Sequence, residues 1–363
     1  MPHYPKKSHC DGEFHEKFKV NNLVSNTPNV AHNQDPYLID SWNIVIVDKN
    51  DMWVCNKGTA FLTNYDLLGN IISNPVKIPD VNSISALPTG LIVNESTGFV
   101  ISSGSNIASS YLLIATENGA IFGFNPLVDP SNAVIAVDNS SINSCYKGIA
   151  MINNYLCAAD FHNNRIDVFD FNFVHVLTLP FADLEVLNPI PVNYAPFNIV
   201  NINNYMFVTY AKQSGIGCND DPGKGHGYVS IFNYEGLFVK RFISNGKLNS
   251  PYGIIKLPES FGDLGHNFLI GNNGNGKLNV YNHDGKYVTT LKNKHHHKII
   301  INGLHGFAKY HDDSEYDHDS HHNHHHDSHH NHHHESHRIF FGAGSTNSLN
   351  GLVGTIKKDK HCR

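Results

Sequence analysis

The sequence predicts an all-β protein, a six-bladed β-propeller whose ring is closed by an N-terminal strand. Three observations carry this reading. Short apolar runs recur along almost all of the 363 residues, each bounded by Gly, Asn or Asp. They group into six units of about fifty residues, each with about four strands, too long for the coils of a β-helix. Composition agrees: aromatics are 11%, with 21 Phe and 16 Tyr, while charged residues are only 16%, the profile of a turn-rich β protein. One unit cannot bury its own faces, whereas a closed ring packs blade on blade and leaves few edges.

In chain order, residues 1–16 read as a polar tail, Phe18–Val24 as an isolated strand and Ser25–Asp40 as a connecting loop. The first unit runs Trp42–Val47, Met52–Cys55, Ala60–Tyr65 and Ile71–Val76. The second opens at Pro88-Thr89-Gly90 and continues with Leu91–Val93, then Phe99–Ser102 or Tyr111–Ala115, then Ala120–Phe124 and Ala133–Val137. The third is the clearest, with Ile149–Ile152, Tyr155–Ala159, Arg165–Phe169 and Val174–Leu179. The fourth opens at Pro196-Phe197-Asn198 and holds Met206–Tyr210, a long loop Ala211–Gly227 and Tyr228–Phe232. The fifth opens at Pro251-Tyr252-Gly253, followed by Phe268–Gly271, Lys277–Tyr281 and Tyr287–Leu291. The sixth opens at Gly303-Leu304-His305-Gly306, accepts a His-rich insertion, and resumes at Arg338–Gly342 and Leu352–Lys357.

The sixth unit shows three strands, and Phe18–Val24 belongs to no unit. That strand is therefore expected to complete the last blade and lock the ring. The propeller is expected over residues 17–358, with 311–337 as a loop insertion and 1–16 and 359–363 as tails. Closure brings Cys10 and Cys362 toward one blade, but reduced thiols are the expected state inside a cell. The six cysteines show no CxxC spacing, and Cys157, in an apolar strand, reads as a small buried hydrophobe.

A net charge of −6 without a basic stripe argues against a specific nucleic-acid partner. The N-terminus lacks the apolar core of a secretory signal, and no apolar run is long enough to span a membrane. The expectation is a soluble protein, cytoplasmic or particle-associated. The sequons at Asn94 and Asn139 matter only on a secretory route.

Asp160, Asn163-Asn164-Arg165-Ile166 and Val168-Phe169, after Gly148-Ile149-Ala150, resemble the NHL repeat. From Asn22 to Gly354 the chain is similar to an uncharacterised, largely bacterial family of NHL-like propellers, some with a PEP-CTERM sorting tail. The landmarks include Ala115–Gly119, Phe124-Asn125-Pro126, Tyr146-Lys147-Gly148, Tyr194–Ile199, Phe207–Ala211 and Pro251-Tyr252-Gly253. The resemblance implies a fold and no agreed activity. The chain departs from it by lacking the signal and sorting tail and by gaining the His tract. The Asn-, Ile- and Lys-heavy composition suits an AT-rich genome, such as that of a large DNA virus or protist.

The strongest local signal lies at 311–337, where thirteen His (His311, His318, His321, His322, His324, His325, His326, His329, His330, His332, His333, His334 and His337) alternate with Asp, Asn, Ser and Glu. Neutral imidazole ligates Zn²⁺, Cu²⁺ and Ni²⁺, so such a segment binds transition metal; equally, it has the form of a low-complexity expansion of a surface loop. A second set comes from the turns after each blade's second strand, which gather around the mouth of the central channel. They contribute Asn56, Glu117, Asp160, His162, Asp220 and Asn272 as candidate ligands, with Asn163, Asp221, His226 and Asn273 beside them. His305, at the start of an inner strand, joins them. A Ca²⁺ ion on the axis is the cofactor such a face would take, although Asp and Asn are also what tight β-turns require.

Two functions fit. One is a non-catalytic platform for protein binding or self-assembly, with a metal-binding His loop on the face opposite the channel mouth. The other is a metal-dependent hydrolase or lyase acting on a small molecule at that mouth, as in propeller lactonases and NHL-type lyases. The first is preferred, because no acid/base pair or Ser/His/Asp arrangement stands out.

Overall fold

The computed structural model describes residues 16–48, 50–177, 179–215, 217–310, 338–344 and 349–359. The His tract, Cys10 and Cys362 lie outside the described residues. Six sheets form the blades, each ordered outward from its inner strand. Blade 1 is Ser41–Asp48, Asp51–Asn56, Phe61–Tyr65 and Val76–Lys77; blade 2 is Pro88–Val93, Leu112–Thr116, Ala120–Phe124 and Val134–Asp138. Blade 3 is Tyr146–Ile152, Tyr155–Asp160, Arg165–Phe169 and His175–Val176; blade 4 is Tyr194–Ile202, Tyr205–Lys212, Tyr228–Phe232 and Phe238–Ser244. Blade 5 is Pro251–Lys256, Phe268–Asn272, Leu278–Tyr281 and Tyr287–Thr290. Blade 6 is Leu304–Lys309, Ile339–Gly344, Gly351–Lys358 and, as its fourth strand, Phe18–Ser25.

The inner strands touch in the order 1 to 6 and back to 1, so the ring is closed. The expected clasp is present: Phe18–Ser25 runs antiparallel to Gly351–Lys358, pairing Phe18 with Lys358 and Ser25 with Leu352. Phe18 is buried and stacks on Phe261 of blade 5, 5.2 Å between centroids, which anchors the strand by packing as well as by its ladder.

Of the two runs offered for the second strand of blade 2, Tyr111–Ala115 is the one that forms it, as Leu112–Thr116, while Val100–Ser103 and Asn106–Ser109 form a separate hairpin inserted before it. Two details differ from the sequence expectation. The outer strands of blades 1 and 3 shrink to Val76–Lys77 and His175–Val176, because an outermost strand has one neighbour and its apolar residues are left exposed. Cys145 and Cys218 form a disulfide across 73 residues, which no spacing rule signalled. Cys157 is fully buried, and burial pushes its thiol up.

Candidate functional site at the propeller axis

Each blade begins alike. The register between the inner and second strands shifts at Trp42-Asn43, Thr89, Lys147-Gly148, Phe197, Tyr252-Gly253 and His305-Gly306. Such bulges re-aim a side chain and are frequent next to functional sites. Here each releases one residue from the ladder: Trp42, Thr89, Lys147, Phe197, Tyr252 and His305, one per blade. The residue after each is Asn or Gly. At Gly148 and Gly306 a Cβ would collide with the side chains of Asn198 and Asn43 from the neighbouring inner strand, so glycine is required by close approach.

The six residues meet across the ring. Trp42 stacks on His305 at 4.1 Å and lies edge-on to Tyr252 at 5.3 Å and to Phe197, on the opposite blade, at 6.3 Å. The Tyr252 hydroxyl donates toward the carbonyls of Lys147 (2.8 Å) and Thr89 (3.0 Å), linking blade 5 to blades 3 and 2. His305 Nδ1 lies 3.0 Å from the Ser41 carbonyl. The Lys147 ammonium sits among Trp42 (4.8 Å), Phe197 (5.7 Å) and Phe161 (5.8 Å).

Glu117, in the turn after the second strand of blade 2, provides the counter-charge. Its Oε1 accepts from Lys147 Nζ and, at 3.0 Å, from Lys57 Nζ, which also lies 3.9 Å from Asp40. Burial alone would raise the Glu117 carboxyl, but the two ammonium groups overcome it and hold the group below the usual carboxylate range. Burial pulls Lys147 down in turn, and Glu117 only partly restores it. Burial also lowers His305 to about 4, against the pull of Asp40 and the Ser41 carbonyl, so the imidazole is neutral at pH 7.

Above Glu117, on the face of the second-strand turns, opens a cleft of about 720 Å³ lined by Glu117, Asn118, Ser144, His162 and Cys218. The Cys145–Cys218 disulfide forms part of its wall, with Cys218 Sγ 3.6 Å from the Glu117 carbonyl oxygen.

Of the residues singled out from the sequence, the structure gathers Glu117 and His305 at the axis. Asp220 lies close enough to Lys147 to favour its charged form and buries one carboxylate oxygen without a partner. The others stay in their own turns. Asn56 bridges Ser41 Oγ (3.0 Å) and Thr63 Oγ1 (2.9 Å), Asp160 accepts from the Cys145 N–H (2.9 Å) and Asn163 (2.8 Å), and Asn272 donates to the Lys247 carbonyl (2.8 Å). His162 is exposed at the cleft, Asp221 pairs with Lys212 and His226, and Asn273 reaches the Leu304 carbonyl at 3.4 Å. Trp42, Lys57, Lys147, Phe197 and Tyr252 were not foreseen as a site. The available signal was the repeated blade opening, a variable residue followed by Asn or Gly.

Among the described residues no three His, Cys, Asp or Glu side chains converge as a metal-holding group, and no helix is long and apolar enough to cross a membrane. The sequon amides point inward: Asn94 Nδ2 donates to the Ser110 carbonyl (2.9 Å) and Asn139 Nδ2 to the Tyr146 hydroxyl (2.7 Å).

Fold and axis together define a six-bladed propeller whose channel is plugged by its own side chains. Among solved structures the chain is similar to a protein of unknown function from Bacteroides thetaiotaomicron (TM-score 0.56, 11% identity, 95% of this chain and 76% of that one). It is also similar to a calcium-binding regucalcin from Agrobacterium tumefaciens (TM-score 0.54, 12% identity, 94% and 95%) and to a streptogramin B lyase (TM-score 0.52, 10% identity, 94% and 98%). At these identities the likeness shows the fold alone. No family model matches. Two uncharacterised proteins of Acanthamoeba polyphaga mimivirus are 36% and 35% identical, each over 94% of this chain and over 86% and 81% of their own lengths. The chain belongs to this family of mimivirus proteins, which corrects the expectation of a largely bacterial one.

Proposed function

We propose that this protein is a non-catalytic platform for protein binding or assembly. The observation that carries the reading is the plug. Of the six re-aimed side chains only His305 is a common metal ligand, and the Lys147 ammonium, paired with Glu117, sits among the rings of Trp42 and Phe197. A general base works best with a pKa near the operating pH. Glu117 is held ionised by two lysines, and His305 is neutral, buried and roofed by Trp42. Neither is poised for proton transfer at neutral pH.

The test is turnover of ester, lactone and lyase substrates with Ca²⁺, Mg²⁺ or Zn²⁺ supplied, in wild type and Glu117→Gln. No turnover is expected; metal-dependent turnover lost in the variant would establish a hydrolase or lyase instead. We further propose that residues 311–337 bind Zn²⁺, Cu²⁺ or Ni²⁺ through their thirteen His. Metal content with and without this segment checks this: loss of bound metal on deletion is expected, and unchanged content would place the metal elsewhere.

A further inference from the structure

The two sulfurs of the Cys145–Cys218 disulfide stand in different surroundings. Cys145 opens blade 3 and is fully buried in the core beneath the plug. It is also fixed by its own backbone: its N–H donates to Asp160 Oδ1 (2.9 Å) and its carbonyl accepts from the Phe161 N–H (2.8 Å). Cys218 belongs to the long connection of blade 4, is only partly buried, and lines the 720 Å³ cleft above Glu117 together with Gly217. From these surroundings we infer that the disulfide is an exchangeable redox bond, opened at Cys218 by a small dithiol that enters the cleft, and that opening it frees residues 217–220 from the axial mouth. The inference goes beyond the platform reading and does not depend on it.

Access decides which sulfur a thiolate attacks, and here it fixes the direction of the reaction. A thiolate of the reductant forms a bond to Cys218 Sγ as the Cys145–Cys218 bond breaks. The electron pair of the broken bond stays on Cys145, which takes up a proton. The reductant's second thiol then displaces Cys218, closing the reductant's own disulfide and leaving Cys218 as a thiol. Two electrons and two protons pass to the protein, and the dithiol is the species oxidised.

The bond ties a thinly packed segment to a well-packed one. Gly215 and Gly217 both have positive φ, and a Cβ at either would meet no atom within 4 Å, so this stretch stands off the ring. Its stem is anchored without the sulfurs. The Gln213 N–H donates to the Asn193 carbonyl (2.7 Å) and its Nε2 to the Phe161 carbonyl (2.6 Å), while the Asp221 N–H reaches the Lys212 carbonyl (2.7 Å). Cutting the bond therefore leaves the stem seated. It releases Cys218 from its place 3.6 Å from the Glu117 carbonyl oxygen, and Asp220 from its place near Lys147. The Glu117 and Lys147 side chains, 8% and 4% exposed in the closed form, then open to the cleft. Disulfides persist in oxidising surroundings and are reduced where thiol pools are kept reduced, so the turn face has a closed form in the first and an open form in the second.

Cysteine alkylation and amide hydrogen exchange, both read by mass spectrometry on the full native chain before and after brief treatment with dithiothreitol, test this. Without the dithiol, Cys145 and Cys218 are expected to resist alkylation. After it, Cys218 is expected to label at least about tenfold faster than Cys145, while the buried Cys55 and Cys157 stay unlabelled. Exchange over residues 217–220 is expected to rise at least about tenfold, with the strands of the six blades unchanged. Cys218→Ser should show the fast exchange with or without dithiothreitol, and Cys145→Ser is a second route to the same open form. Free Cys145 and Cys218 thiols in the untreated chain would overturn the inference. So would a bond cut only in denaturant, or Cys145 labelling ahead of Cys218. A bond cut with exchange at 217–220 unchanged would make it a structural staple alone, and faster exchange across all blades would show that it holds the whole ring; either outcome overturns the inference as well.

Discussion

The axial plug and the arch of chain that connects blade 3 to blade 4 both rest on buried ion pairs, used to opposite ends. At the axis, Glu117 binds Lys147 and Lys57 so that aromatic rings from opposite blades close over the charges. In the arch, Arg241 and Asp183 are just as well covered, with side chains 5% and 9% exposed, yet the aliphatic residues they support, Leu184, Val186, Leu187 and Val192, face water. Burying a charge pair rarely adds net stability relative to an apolar replacement. What it does provide is geometry, and here the same device seals one surface and displays another.

The contrast can be broken at several points. Lys147→Met leaves the buried Glu117 carboxylate with Lys57 as its remaining ammonium partner and is expected to destabilise by about 3 kcal/mol in urea unfolding. Adding Glu117→Gln should recover part of that loss, and strictly additive losses would mean the two groups do not act as a pair.

His305 should set an acid dependence. Its folded value, about 4, lies below the ordinary 6.5, so between these pH values the unfolded chain binds the proton more tightly and stability falls as pH drops. This contribution is on the order of 3 kcal/mol across the window. In His305→Gln it should vanish, giving a flatter stability curve from pH 6.5 to 4 than wild type; parallel curves would refute the assignment.

Arg241→Leu should cost about 2 kcal/mol, from loss of charge-assisted hydrogen bonds, and open residues 184–192 to limited proteolysis. Unchanged cleavage would show that the arch holds without its clamp. Smallest of all, Leu187→Asp should leave the melting transition within about 0.5 kcal/mol of wild type, since the side chain touches little of its own fold. A larger drop would mean the arch is packed rather than displayed.

Much of the fold was legible because strand length, turn residues and repeat spacing are local. Phe18–Ser25 could be assigned to blade 6 by counting, since one blade lacked a strand. The axis was only half legible. Glu117 and His305 drew notice as residue types, but Trp42, Thr89, Lys147, Phe197, Tyr252 and His305 share a place and no chemistry, so no motif search unites them. Only the bulge, a feature of register, brings them together. Lys147 reaches Glu117 across 30 residues, and Cys145 reaches Cys218 across 73, distances over which spacing carries no information. The arch was missed for another reason: exposed Leu and Val read in a sequence as core.

The clasp of blade 6 has a consequence for biosynthesis. Ser25 Oγ donates to the Gly351 carbonyl at 2.8 Å across 326 residues, so Phe18–Ser25 is synthesised long before the strand it pairs with. Until Gly351–Lys358 has been made, the earlier strand remains an unpaired edge, open to a neighbouring nascent chain. Polysomes crowded with this message would therefore be where strand exchange between copies begins.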